Sequence, residues 1–130
     1  MQAHSNSCAG ARQRRPLAQR PLLTPIQAGG LAAVFKVLAS DTRLRLLHAL
    51  VRADELCVTD LADSLGMKPQ AVSNQLQRLL DLGILAARRD GTSIYYQVID
   101  RCAISLLEKG LCLVEDDGGR GRRCKVRPRA

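Results

Sequence analysis

Residues 55–83 read ELCVTDLADSLGMKPQAVSNQLQRLLDLG, and the order of turn and helix signals inside this stretch decides the fold. Leu61, Ala62 and Leu65 share one face of a short helix that Thr59 is placed to cap. Gly66 suits the position just past its end, where a left-handed backbone closes a helix. Pro69 suits the first turn of a second helix, where its missing N–H has no helical acceptor. That second helix is predicted to run from Pro69 to about Leu82, with Val72, Leu76, Leu79 and Leu80 on its inward stripe and Gly83 ending it. Its outward positions are Gln70, Ala71, Ser73, Asn74, Gln75, Gln77 and Arg78, with no large aliphatic side chain among them. Two short helices with a tight turn, the second bearing amides and hydroxyls, form a helix-turn-helix, whose second helix enters the DNA major groove. Amides pair with adenine, and Arg with guanine or phosphate. An ordinary solvated helix face has a similar composition; the neighbouring elements favour the DNA reading.

Downstream, Ile84–Arg89 and Thr92–Val98 read as strands, and Asp90-Gly91 between them predicts a hairpin with a type I′ turn. Arg88 and Arg89 before the turn, and Thr92, Ser93 and Tyr95 after it, make this a basic wing suited to the phosphate backbone or the minor groove. Asp100 is expected to cap a last helix over about 101–115, with Ile104, Leu107, Leu111 and Val114 on one stripe. Upstream, Leu31, Val34, Phe35 and Leu38 predict a helix over about 27–39. A second, over about 42–53, is expected to bury Leu44, Leu47, Leu50 and Val51. The fold class is mainly α (α+β): a winged helix-turn-helix with a two-stranded wing and additional N- and C-terminal helices.

With 130 residues the chain makes one small domain, and with 2% aromatic residues its core must be aliphatic and base-stacking platforms are not expected. The net charge of +8 sits in the ends: residues 1–25 hold four Arg and no acid, and residues 118–130 hold five Arg and one Lys and no acid. Residues 26–117 therefore carry about −2. The expected division is a flexible basic arm (1–25), the winged domain (26–117) and a disordered basic tail (118–130). The tails suit either solubility or sequence-independent attraction to phosphates. No apolar run approaches a bilayer span, and residues 1–25 lack a signal-peptide core, so a cytoplasmic protein is expected. In such a compartment Cys8, Cys57, Cys102, Cys112 and Cys124 are expected as thiols, ligands or redox sensors.

The strings LASDTRLRLLHAL (38–50), ELCVTDLADSLG (55–66), AVSNQLQRLLDLGIL (71–85) and RRDGTSIYYQV (88–98) resemble the ArsR/SmtB family of metal-responsive repressors. The resemblance covers about 31–116. It implies a homodimer docked through the first and last helices, binding double-stranded operator DNA and repressing a metal- or metalloid-resistance operon until an inducer releases it. The DNA set it supports is Lys68, Gln70, Ser73, Asn74, Gln75 and Arg78 for the major groove, with Arg88, Arg89, Thr92 and Tyr95 in the wing.

The resemblance also implies two sensor positions, each incompletely matched. At the start of the third helix Cys57 matches the first of two thiolates and Thr59 replaces the second; Cys8 of the arm is a further candidate. On the last helix Asp100 and Cys102 match the first ligand pair, with Cys102 where His is usual. The second pair falls on Leu113 and Asp116, so one His is absent. Cys112 and Glu115 lie about 100° round the helix from the usual slots. Thiolates favour As(III), Cd(II), Pb(II) or Cu(I), with Zn(II) also suitable. A site on Cys57 with Cys8 or Cys102 is the leading expectation. Buried single cysteines also serve as small hydrophobes.

Three alternatives stay open: sensing by thiol oxidation or persulfidation, a regulator without an inducer site, and an interaction module that has lost DNA binding. No nucleophile elbow, phosphate-binding loop, HExxH or Cys–His pairing marks an enzyme.

Overall fold

The computed structural model describes residues 15–119, with side chains to 115. After a short 3-10 turn at Leu17–Gln19 come α1 (Pro25–Leu38), α2 (Asp41–Ala53), β1 (Leu56–Cys57), α3 (Val58–Leu65), α4 (Pro69–Asp81), β2 (Leu85–Asp90), β3 (Ser93–Val98) and α5 (Arg101–Gly119). This is the winged helix-turn-helix expected. The parts of the basic arm and tail at 1–14 and 120–130 lie outside the described residues. Among the described residues no helix is long and apolar enough to cross a membrane.

Each helix begins where local chemistry allows. Thr24 caps α1 through a capping box: its Oγ1 accepts from Gln27 N at 3.1 Å, and Gln27 Oε1 accepts from Thr24 N at 3.0 Å. The helix therefore starts two residues before the predicted 27. Ser40 caps α2, accepting from Arg43 N at 3.3 Å. Asp100 Oδ1 caps α5, accepting from Cys102 N at 2.8 Å and Ala103 N at 3.4 Å. That helix runs to Gly119, past the predicted 115.

Thr59 does not cap α3. The cap position is Cys57, in extended backbone with no side-chain cap bond. The reason is β1: Leu56 pairs with Tyr96 and Cys57 with Tyr95, so the strand leads straight into the helix. The sheet is consequently three-stranded, ordered β1-β3-β2, rather than a bare hairpin.

The hairpin loop is also displaced by one residue. Asp90 pairs with Ser93, leaving Gly91-Thr92 as the loop. Gly91 has φ +69 and Thr92 does not adopt positive φ, the pattern of a type II′ turn. A type I′ turn would need positive φ at both central positions, which disfavours β-branched Thr92.

The core is one aliphatic cluster: Leu46, Leu47 and Leu50 of α2, Leu61 and Ala62 of α3, Val72, Leu76 and Leu79 of α4, Ile84, Leu85 and Ala103. On α2 the expected stripe is rotated. Leu46 is buried, whereas Leu44 and Val51 are exposed. Leu44 and Val51 lie about 100° round the helix from the centre of the buried face. Leu44 instead borders a second apolar region. Neither α1 nor its Leu31 and Phe35 is buried in the chain, and Leu106, Leu111, Leu113 and Val114 of α5 are also exposed. Between α1, α2 and α5 lies a cavity of about 410 Å³ lined by Phe35, Leu38, Leu44, Leu106 and Leu111 among others.

Asp54, just past α2, has φ 79 and ψ −51, a region L side chains rarely adopt. Asp54→Gly should relieve about 1–2 kcal/mol of strain, of which chain freedom takes back about 0.5–1. The expected result is a Tm a few degrees higher in thermal unfolding followed by circular dichroism; a lower Tm would show that the Asp54 side chain stabilises the turn.

Candidate nucleic-acid interface and thiol positions

The turn between α3 and α4 is built as the sequence requires. Gly66 is left-handed (φ 66) and its N–H bonds Ala62 O, as does Met67 N at 3.0 Å. Lys68 stands at the cap position of α4 and Pro69 at its first residue. The amphipathic division of α4 follows: Val72, Leu76 and Leu79 are buried, Lys68, Gln70, Asn74, Gln77 and Arg78 are exposed, and Ser73 and Gln75 are half-buried on its flanks. Gln70 Nε2 donates to Asn74 Oδ1 at 3.2 Å, aligning two amides one turn apart on the open face. Gln75 is turned towards α2, where its Oε1 accepts from Arg43 Nη1 at 2.7 Å.

On the wing, Arg89 and Thr92 are exposed and Tyr95 is half-buried. Arg88 is bound more firmly than the sequence suggests. Its Nε and Nη2 each donate to a Glu55 carboxylate oxygen at 2.8 Å, its guanidinium lies 5.0 Å from the Tyr95 ring centroid, and Asp90 is 3.8 Å away. These hydrogen bonds hold the Glu55 carboxyl below the usual carboxylate range, and Arg88 is raised in turn. Glu55 is a site residue that sequence reading missed: it precedes a two-residue strand and carries no periodic signal.

The thiol positions divide. Cys57, Tyr95 and Arg88 are register partners across β1, β3 and β2, so the cysteine at the mouth of α3 stands in one row with the wing. The Cys57 thiol donates to Asp60 Oδ2 at 3.3 Å. Cys57 and Cys112 are free thiols. Cys102 is half-buried in the first turn of α5, its backbone N–H held by Asp100 Oδ1. Asp100 is engaged at the start of α5 by the cap bonds above. Asp116 lies on α5 beyond the described side chains, and Cys8 lies outside the described residues. Among the described residues no group of three or more His, Cys, Asp or Glu is arranged to hold a metal ion. One chain's described side chains thus provide a thiol–carboxylate pair at Cys57 and Asp60 and not a full coordination set.

Known proteins resemble this chain in sequence and fold. Residues 40–87 match the family model described as bacterial regulatory protein, arsR family. The cadmium resistance transcriptional regulatory protein CadC of Listeria innocua is 35% identical over 82 residues, spanning 63% of this chain and 69% of that protein. The crystal structure of the AntR antimony-specific transcriptional repressor is 59% identical, covers 79% of this chain and 94% of that one, and superposes with a TM-score of 0.72. A homodimeric winged helix-turn-helix DNA-binding domain from Mycobacterium bovis, in solution, is 26% identical, covers 84% of this chain and 100% of its own, and gives a TM-score of 0.68. The chain belongs to the ArsR family: it is a winged helix-turn-helix transcriptional repressor, in a family of regulators rather than enzymes.

Proposed function

We propose that this protein acts in the cytoplasm as a homodimer, holds double-stranded operator DNA through α4 and the wing, and leaves it when a thiophilic metal or metalloid ion binds cysteine thiolates. The observation that carries the DNA reading is the face of α4: exposed amides and Arg78 on one side, a fully buried aliphatic stripe on the other. Gln70, Ser73, Asn74 and Arg78 are the base-reading candidates, with Lys68, Arg89, Thr92 and Tyr95 towards the backbone. Gln75 has its amide oxygen engaged by Arg43 and offers its NH2 group alone. Arg88 has its Nε and one Nη2 donor held by Glu55 and offers a phosphate its remaining N–H groups. The exposed apolar faces of α1 and α5, with the cavity between them, support pairing with a second copy.

For the inducer, Cys57 is the proposed first ligand. Its thiol and the neighbouring Asp60 suit a soft or borderline ion, and CadC and AntR are named for cadmium and antimony. Completion of the set falls to Cys8, to Cys102, with Asp100 and Asp116, or to the same positions of the second protomer. As(III), Cd(II), Pb(II), Cu(I) and Zn(II) are the ions to test. A second reading, oxidation of thiols by a peroxide or polysulfide, is supported by the free, half-buried thiols of Cys57 and Cys112. Mass spectrometry separates the two, because a metal adduct is lost on acid denaturation and a disulfide persists.

Asn74→Ala tests the reading of DNA. Fluorescence anisotropy of the variant should show discrimination between a selected operator and random duplex reduced by about 1–3 kcal/mol. Equal losses on both duplexes would remove Asn74 from base reading.

A further inference from the structure

Beyond its aliphatic packing, the reading helix is joined to the ends of α1 and α2 by one polar side chain. Arg43, half-buried near the start of α2, donates from Nε to the carbonyl oxygen of Val37 and from Nη1 to Gln75 Oε1 at 2.7 Å. Val37 belongs to the last turn of α1, whose carbonyls have no donor within their own helix. A guanidinium there satisfies one of them and suits the negative end of the helix dipole. On the other side, Arg offers only donors, so the Gln75 carboxamide must present its oxygen and its orientation is fixed. The planar fork is pre-organised, so both bonds form from one rigid group. One guanidinium thus spans the end of α1, the start of α2 and the middle of α4.

We propose that Arg43 is a positioning residue that locks the pose of α4 relative to α1, and through it sets the half-site spacing the dimer accepts on DNA. The proposal rests on the reading above, in which α1 lies in the dimer seam and α4 enters the major groove. In a two-fold dimer the separation of the two reading helices follows from the α1-to-α4 geometry of each protomer. One added base pair rotates a half-site by roughly 35° about the duplex axis. A stiff link penalises that rotation; a loose one tolerates it.

The test uses the full-length reduced protein. A duplex is selected from a randomised pool with the wild type. Binding is then measured to it, to versions with the central spacer one base pair longer or shorter, and to random duplex. Arg43→Met should narrow the preference for the selected spacing by roughly tenfold, the scale of a charge-assisted hydrogen bond, and leave random-duplex affinity unchanged. Gln75→Ala, whatever it costs in overall affinity, should narrow the spacing preference by a similar factor, with no further narrowing in the double variant. Equal weakening on every duplex, intact spacing preference, additive effects of the two changes, or a change confined to one base position would each overturn the proposal. Should Arg43→Met fail to fold, Arg43→Lys, which keeps the charge and cannot hold both bonds in the same geometry, must show the same narrowing. Failure of the wild type to select any two-half-site duplex would refute the DNA reading itself, a distinct outcome.

Discussion

Leu76→Ala should destabilise the protein by about 2–5 kcal/mol, read as a lower midpoint in urea at unchanged slope. Leu76 is 0% exposed and sits on the inward face of α4 between Val72 and Leu79, in one cluster with Leu46, Leu50 and Leu61. Removing three carbons there leaves a void that neighbours on α2, α3 and β2 cannot fill without moving their own helices and strand. Small domains are stable by about 5–15 kcal/mol, so the loss is a large share of the total. The functional consequence differs from that of Asn74→Ala. A loosened seat for α4 weakens every DNA complex as temperature rises, because the folded fraction falls, whereas removal of an exposed amide alters preference without altering Tm. A loss below about 1 kcal/mol would show that α4 is not held by this packing.

The α3–turn–α4 unit was legible because each of its signals has a single strong physical meaning: Gly66 needs positive φ, Pro69 needs a helix start, and the spacing of Val72, Leu76 and Leu79 needs a helix. The hairpin was legible from Gly91, although the loop lies one residue later than the Asp90-Gly91 signal indicates, because Gly91 takes the first central position of a type II′ turn. Three features lay beyond reach. β1 is two residues long, too short for any periodicity, and exists because Tyr95 and Tyr96 pair with it from far along the chain. Leu44 and Val51 look like core residues because helical spacing cannot tell a face buried by the same chain from one left open beside α1 and α5. The Arg43–Gln75 and Arg88–Glu55 contacts join residues 32 and 33 positions apart, and long polar side chains give no pattern that pairs them in advance. The candidate site therefore emerges from the sequence as two sets of residues without the bonds that join them.

Cys57→Ser should abolish inducer-driven release while leaving operator binding within about twofold of the wild type, measured by titrating the reduced, DNA-bound protein with the metal and metalloid panel; twofold is roughly 0.4 kcal/mol. The substitution isolates the thiol unusually well. Cys57 occupies the cap position of α3 in extended backbone and makes no cap bond. Serine is among the best residues for that position. Its oxygen stands three residues before Asp60, so it can accept from the first turn of α3 and keep a partner in the carboxylate that now accepts from the thiol. The fold should hold, or gain about 0.5–1 kcal/mol from the new cap. A neutral hydroxyl is a poor ligand for a soft ion that a thiolate binds well. The sulfur is then the only property lost, and the midpoint of release should move at least tenfold to higher ion concentration for every ion that acts on the wild type. An unchanged midpoint would place sensing elsewhere. A response retained by Cys57→Ser and lost in Cys102→Ser would move it to the start of α5.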